Sequence, residues 1–378
     1  MQLRRLPARA SLLAVAAALI AVLVAVPNAG AATFGGGTIK LDFKLLKGVK
    51  VSSNGATPKA STGGTFKFAE NAGTATMNKQ ASGSLNIGAA STSITLTKGT
   101  KKIVLQSFVE KLTAGKAQLT AKIGGKGKAI AFFDEASTNK LAPNSGFTQL
   151  ILSSSKMTLT KAGAAALNKA FGLKGSAVLK EKGAVGTASF TAERSLTVVG
   201  GDSKTIYDQK FVNDLRACDI ELSAVAPATA IPKDPTSAPE GGADLPINAQ
   251  AGGTFTAKDL IGTVNHLGGT VLTRPAGKPK PAYTSELTNF VFGFNPSGAT
   301  LNAFIKNINT SAPIGTVTGT VTATLTDGAG TVSLAGGQLV LSDTASGNLS
   351  QAAPPLGADC NIPSGSKIGA VSMTAQVN

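Results

Sequence analysis

Apolar and polar residues alternate with a period of two along most of this chain. The pattern is clearest at 316–326, where Val and Leu occupy one face and Thr the other. Such alternation is typical of strands with one buried and one exposed face. Turns rich in Gly, Asn and Asp separate further alternating runs at 38–43, 93–97, 103–108, 117–123, 148–152, 188–191, 287–294, 315–325, 331–341 and 370–377. This spacing predicts a mainly β protein built of antiparallel, β-sandwich-like modules.

One segment departs from the period of two. It begins at Thr160, whose hydroxyl can cap a helix, continues through an Ala-rich stretch and ends at Gly172. Leu167 and Phe171 are four residues apart, so they fall on the same helix face. The segment predicts a short helix near residues 160–171 that packs on a sheet.

The N-terminal residues have the pattern of a secretory signal peptide. Three arginines among the first nine residues precede an apolar run at 12–26, and small residues up to Ala31 form a cleavage site. The alternative is a membrane anchor, but a membrane-spanning helix needs about 20 apolar residues and this run is shorter. No second apolar stretch of spanning length follows. We expect removal of residues 1–31 and a mature chain, without a transmembrane segment, that is secreted or associated with the cell envelope.

The two cysteines, Cys218 and Cys360, are expected to pair. An exported chain enters an oxidising compartment, which favours a disulfide, and neither cysteine has a nearby His or C-x-x-C partner for thiol chemistry. Two cysteines and one histidine also exclude a Cys₄ or Cys₂His₂ zinc module. We therefore expect a structural disulfide and no metal site.

Composition divides the mature chain into two modules. Residues 227–244 are rich in Pro, Gly and small polar residues, which indicates a linker or a long loop between domains. The expected modules are 32–226 and a shorter one at 245–378. Short motifs recur in both: Gly-Gly-Thr-Phe at 63–66 and 252–255, and a Gly-x-x-Asn motif at 83–86 and 262–265. The recurrence predicts that the modules are related.

The net charge of +16 is concentrated in the first module. Residues 33–226 contain 26 Lys and Arg against 12 Asp and Glu, whereas residues 227–378 contain 7 against 8. Of the 26 cations 24 are Lys, whereas base recognition favours the forked guanidinium of Arg, and aromatic residues are only 5% of the chain. We therefore expect no nucleic-acid partner. The Lys residues form either a solvated face or a surface that attracts anionic polymers of the cell envelope.

The chain lacks the motifs of common hydrolases and nucleotide-binding enzymes. It has no G-x-S-x-G elbow and no P-loop, and a catalytic triad would have to use its one histidine, His266. The closest carboxylate pairs are Asp134 with Glu135, and Asp219 with Glu221. Adjacent strand residues point to opposite faces, which argues against the first pair as a catalytic couple. We expect a non-enzymatic protein.

His266 is the one side chain whose unperturbed pKa lies near neutrality. Two interpretations are open: it contacts a ligand, or it is a turn residue whose ring bonds to a backbone carbonyl. Tyr207 and Tyr283 have the same two alternatives, as phenolate ligands or as packing residues.

The order of these parts resembles the HtaA domain of actinobacterial exported and cell-surface proteins. The resemblance covers 35–195 and, less extensively, 245–345. Its motifs are a Gly-rich strand start at 35–37, the motif at 63–66, strands at 102–108 and 115–123, a closing phrase at 157–168, and an element similar to G-x-V-x-x-H-x-G at 262–269. It implies β-rich binding modules, some of which hold haem through Tyr and His.

Under this resemblance His266 is the candidate haem ligand, and the first module has Ile87 at that place. The family's early W-G-x-K…F…Y pattern falls near 39–51, where Phe43 is the comparable residue. The expected function is a secreted, HtaA-like, non-enzymatic protein that binds haem or another small ligand at the cell envelope. The alternative is a structural or adhesive envelope protein that associates with anionic wall polymers through its Lys-rich first module.

Overall fold

In the computed structural model of this protein, strands dominate the described residues, which confirms the mainly β prediction. The described residues are 31–378 except 44–47, 58–59, 62–64, 79, 90, 137–140, 278, 296–297, 307–308 and 351–358. Residues 1–30 of the predicted signal peptide therefore lie outside them. Within the described ranges, no helix is long and apolar enough to cross a membrane.

The first part of the chain forms a closed ring of antiparallel strands. The ring strands are β1 (Ala32–Asp42), β5 (Thr65–Ala75), β6 (Gly83–Ile87), β8 (Lys101–Thr113), β9 (Lys116–Ile123), β10 (Lys126–Ala136), β12 (Gln149–Leu159) and β13 (Ala184–Tyr207). Each pairs with the next in this order, and β13 pairs with β1, which closes the ring. Closure leaves none of these strands as an open sheet edge. Beside the ring lie β2 (Lys50–Asn54), β3 (Ala56–Thr57), β4 (Ala60–Ser61), β7 (Ser93–Lys98) and β11 (Leu141–Pro143).

A second ring follows with the same order of pairing. It begins with the latter part of β13 and continues through β17 (Thr254–Thr256), β18 (Gly262–Asn265), β20 (Tyr283–Asn295), β21 (Gly298–Ile305), β22 (Thr310–Leu325), β23 (Gly330–Leu341) and β24 (Lys367–Val377), which pairs with β13. Beside it lie β14 (Glu221–Val225), β15 (Thr229–Ile231), β16 (Gly242–Pro246) and β19 (Gly269–Arg274). That the two modules arose as a repeat stays a prediction.

The recurring sequence motifs do not all match in register. Gly262 pairs with Phe255 in the second ring, whereas Gly83 pairs with Ala75 in the first. Phe255 therefore corresponds in position to Ala75 and not to the Phe66 of the Gly-Gly-Thr-Phe motif. The physical reason is length, because β17 has three residues where β5 has eleven. Gly63 and Gly64 of the motif lie outside the described residues.

The strand β13 belongs to both rings and sets where their cores divide. Its first half pairs with β1 and β12, and its second half pairs with β24, β16 and β17. The buried core of the first ring ends along this strand at Ala192, and the core of the second begins at Leu196. The division thus falls inside β13, not at the linker expected at 227–244. That segment contains β15 and the start of β16, which pairs with β13.

The predicted helix is present, and local sequence accounts for both of its ends. The Thr160 side chain accepts a hydrogen bond from the Gly163 amide at 2.9 Å. Gly172 ends the helix at φ +61°, in the left-handed region that favours glycine. Leu167 and Phe171 are buried against the first ring, as expected. The helices are α1 (Lys161–Phe171), α2 (Gln209–Ala217) and α3 (Asp343–Ser350), with a 3₁₀ turn at Gly175–Ala177.

The helices α2 and α3 were not expected from the sequence, and both pack on the second ring. Asp208 caps α2 by accepting hydrogen bonds from the next turn, and Phe211 and Leu215 are buried on one face. In α3 the buried residues are Ala345 and Leu349. Both helices therefore close over the interior of the second ring.

The expected disulfide between Cys218 and Cys360 is formed, with an S–S distance of 2.06 Å and a Cα–Cα distance of 5.6 Å. Cys218 directly follows α2, and Cys360 lies in the segment between α3 and β24. The bond therefore ties together the two segments that cover the second ring.

Polar contacts hold the two rings against each other. Arg194 is fully buried, and its Nη1 donates to the carbonyl of Thr326 at 2.7 Å. Next to it, Asp327 accepts from the Met77 amide at 2.7 Å and from the Asn78 side chain at 3.2 Å. A turn of the second ring is thus fastened to a turn of the first.

Candidate functional site

The interior of the second ring contains a cavity of about 80 Å³. Ring strands contribute Leu287 and Phe290, α2 contributes Phe211, and α3 contributes Ala345 and Leu349. The lining is almost entirely apolar, and its polar residues are Thr205, Tyr207 and Thr270. Apolar concave sites with a small number of placed polar groups are the usual form of small-molecule sites.

Positions in the two rings can be matched through their common pairing order. β1 and β13 each have an irregularity just before a glycine, at Gly36 and Gly200. β8 and β20 each have a left-handed residue at the same place, Ser107 at φ +54° and Asn289 at φ +49°. Such shared irregularities fix the match residue by residue.

This match reveals a set of buried polar side chains that is specific to the second ring. Each member stands where the first ring has a buried apolar residue. The matched pairs are Ser203 for Ile39, Thr205 for Leu41, Tyr207 for Phe43, His266 for Ile87, Thr270 for Ile94 and Ser285 for Ile103. Buried polar groups cost free energy unless they are bonded, so their grouping beside a cavity marks a candidate site.

His266 lies within this set but has both ring nitrogens engaged. Its Nδ1 donates to the Phe290 carbonyl at 3.2 Å, so its Nε2 accepts from the Ser203 hydroxyl at 2.7 Å. The ring meets Phe292 edge-on at 5.2 Å. Burial lowers the pKa of His266 from 6.5 to about 4, so the ring is neutral at pH 7. The hydrogen bond from His266 to the Phe290 carbonyl fits the interpretation of His266 as a turn residue whose ring bonds to the backbone. A direct ligand contact by His266 stays a prediction.

The two tyrosines differ in their surroundings. Tyr207 lines the cavity, and its buried hydroxyl has no hydrogen-bond partner within the described residues. Burial raises the pKa of Tyr207, so the group is an uncharged phenol. Tyr283 is half-buried at the start of β20, with the Arg274 guanidinium 6.0 Å from its ring centre. Tyr207 is therefore the tyrosine that belongs to the candidate site.

A polar cleft of about 200 Å³ lies on the other side of Tyr207. Arg216 Nη2 and Lys233 Nζ contact the Glu240 carboxylate in it, at 2.6 and 3.0 Å. Hydrogen bonds from these two cations lower the pKa of Glu240 to about 2. Leu222 and Tyr207 line both the cleft and the cavity. These two side chains form the wall between an apolar interior and a charged exterior.

Of the carboxylate pairs considered from the sequence, Asp134 and Glu135 are not brought together as a catalytic couple. Asp134 and Glu135 point to opposite faces of β10: Asp134 accepts from the Gln118 side chain at 2.7 Å, whereas Glu135 is fully buried. Glu221 is exposed and lines the cleft. Among the described residues there is no group of three or more His, Cys, Asp or Glu that could hold a metal ion.

The candidate haem ligand does not fit axial coordination in this arrangement. Iron coordination needs a free imidazole nitrogen facing an open site, and both nitrogens of His266 are hydrogen-bonded inside the ring. The neighbouring cavity is also smaller than the roughly 300 Å³ at which sites for drug-sized ligands begin.

Sequence reasoning identified His266 and named Tyr207, but it missed Ser203, Thr205, Thr270 and Ser285. For Ser203 and Thr205 a signal was present in the chain. The segments at 34–43 and 198–207 share two glycines and a lysine at equal spacing. Aligning them would have placed the polar residues of the second ring against apolar residues of the first.

No protein-family model matches the chain, and no curated protein matches it. Among solved structures it is similar to the C-terminal domain of HtaA from Corynebacterium glutamicum. The sequences are 16% identical, and the match covers 48% of this chain and 99% of that domain, with a TM-score of 0.33. At this level the comparison reports a likeness over about half of the chain and assigns no residue.

Proposed function

We propose that this chain is an exported, non-enzymatic binding protein whose second ring holds a small apolar ligand. The observation that carries the proposal is the 80 Å³ cavity beneath α2 and α3. An internal cavity forfeits packing contacts, and cavities of this kind destabilise a core in proportion to their volume. A ligand that fills the space would recover those contacts.

The size of the cavity favours a ligand smaller than haem. Apolar cavities of about 150 Å³ take up benzene or xenon, so a cavity of 80 Å³ suits a ligand or a ligand tail of a few heavy atoms. Some HtaA-like domains hold haem, and the arrangement around His266 supports this role less than it supports a small apolar guest. We therefore propose that the HtaA-like role of this chain is to bind a ligand at the cell envelope, without naming haem as that ligand.

Xenon tests the proposal, because it enters apolar cavities without needing a polar partner. In methyl NMR spectra, xenon should shift Leu287 and Leu349 in a saturable manner. The variant Ala345→Leu fills the cavity and should abolish these shifts. Ala335→Leu makes the same change at an exposed position of β23 and serves as the control. Unsaturable shifts, or shifts that persist in Ala345→Leu, would contradict the proposal.

A haemin titration decides between the two kinds of ligand. If haem is the ligand, the protein develops a Soret band that His266→Ala removes. If the cavity takes a small apolar molecule, the haemin spectrum stays unchanged while xenon still binds.

Association with anionic wall polymers is the second candidate function. Lys40 and Lys67 are exposed and directly opposite each other on β1 and β5, and with Ser189 they line a surface concavity. Like charges in opposed strand positions destabilise a sheet, and an anionic partner would relieve this cost. Isolated cell walls should sediment the protein, with release at moderate salt and weaker binding in Lys40→Gln/Lys67→Gln than in the control Lys306→Gln. If sedimentation changes neither with salt nor on replacement of Lys40 and Lys67, association with anionic wall polymers is excluded.

A further inference from the structure

Only a thin wall separates the internal cavity from the outer cleft of the second ring. The same two side chains, Tyr207 and Leu222, line both spaces. Rotation of two side chains is a much smaller change than opening the ring, whose strands are joined all the way round. The wall is therefore the place where one ligand can reach both spaces.

The hydroxyl of Tyr207 is unexplained by packing alone. It is buried and has no hydrogen-bond partner in the described part of the chain. A buried polar group without a partner lowers stability, whereas its counterpart Phe43 is fully buried in the first ring without that cost. A hydroxyl at this position is accounted for if a ligand accepts a hydrogen bond from it.

The two spaces differ sharply in chemistry. The cavity lining has no charged residue. The cleft has two cations, Arg216 and Lys233, and two acids, Glu221 and Glu240, so its formal charge is zero. Glu240 accepts from both cations, and Arg216 Nη1 also donates to the Asn213 side chain, so the other N–H groups of the two cations remain as donors. Such a cleft favours an uncharged head group rich in acceptor oxygens over an anion or a cation.

We propose that the cavity and the cleft are the two halves of one site for a neutral, single-chain amphiphile. Its short apolar tail occupies the cavity and its oxygen-rich head lies in the cleft. Tyr207 moves aside to admit the tail, and its hydroxyl then donates to the head. This inference rests on the proposed function, because it needs the cavity to accept an apolar guest.

Butyl β-glucoside is a suitable probe, and methyl β-glucoside is its matched control with the same head and no useful tail. The butyl compound should bind saturably in methyl NMR titrations of the full protein, and the methyl compound should not. Tyr207→Phe keeps the ring of the wall and removes the donor, so it should weaken butyl glucoside binding about fivefold, the effect of one net hydrogen bond. Arg216→Ala, at the exposed side of the cleft, should weaken it to a similar degree.

The outcomes separate this inference from the function on which it rests. If xenon binds the unmodified protein and butyl glucoside does not, the cavity is a site but the cleft is not joined to it, and the inference fails. If neither binds, the proposed function fails as well. Equal affinity for butyl glucoside in Tyr207→Phe and in the unmodified protein would overturn the role of the hydroxyl. Equal binding of both glucosides would overturn the role of the tail.

Discussion

The carboxyl group of Glu135 should make the stability of the protein fall as the pH rises. Glu135 lies on β10 inside the first ring, fully buried, and neither oxygen has a hydrogen-bond partner among the described residues. The buried Glu110 of β8 faces the same interior. Burial raises the pKa of Glu135 from 4.5 to about 8. The folded protein therefore keeps a proton at pH 7 that the unfolded chain releases.

The magnitude follows from the shift in pKa. A raised pKa in the folded state means that stability is complete below pH 4.5 and declines until the pH exceeds 8. Each pKa unit corresponds to about 1.4 kcal/mol, so the free energy of unfolding should fall by about 3 kcal/mol by pH 7 and about 5 kcal/mol by pH 9. Glu135→Gln has the shape of the neutral acid and no proton to lose, so it should be more stable than the unmodified protein by these amounts.

Urea denaturation followed by circular dichroism at pH 4, 7 and 9, with the disulfide intact, measures the difference. Glu135→Met is the matched control, since it also lacks the proton but differs in polarity. Both variants should show the same dependence on pH relative to the unmodified protein, with a constant offset between them. A stability difference that stays constant from pH 4 to 9 would refute the reasoning.

Three further predictions concern other parts of the fold. His266 has a lowered pKa of about 4 in the folded protein, so the free energy of unfolding should fall by about 3 kcal/mol between pH 6.5 and 4. His266→Gln should remove this loss, which acid denaturation curves measure. Replacing Cys218 and Cys360 by Ala opens a loop of 142 residues and should cost about 5 kcal/mol, measured by urea unfolding; an unchanged midpoint would be inconsistent with it. Gly163→Ala puts a Cβ 2.4 Å from a carbonyl of β10 and should cost about 1–3 kcal/mol in thermal unfolding, whereas the control Gly347→Ala meets nothing within 4 Å and should not destabilise.

Local features were predictable because their causes are local. The strand alternation, the Thr160 cap and the Gly172 stop each depend on a few neighbouring residues, and all are found in the structure. The cysteine pairing was predictable for a different reason, since the two cysteines of the chain have one intramolecular choice. Helix α2 also has a local signal, Asp208 followed by Phe211 and Leu215, but its nine residues are too few to establish a helical period in the sequence.

Ring closure and the position of the site depend on register, which local patterns do not specify. Alternation cannot show that β13 continues through both rings. Composition suggested a division at 227–244, whereas the two hydrophobic cores divide inside β13. The polar set beside the cavity comes from β13, β19 and β20 and from the residue after β18. Those residues are far apart in sequence, and only pairing brings them together. His266 could be singled out as the one histidine, but its bond to Ser203 could not.

A crystal of the protein pressurised with xenon tests the central claim most directly, namely that the second ring has an interior able to hold a guest. The account predicts an ordered xenon atom between Phe290 and α3, and none at the matched place in the first ring. Xenon in the first ring alone, or at no internal position, would contradict the account.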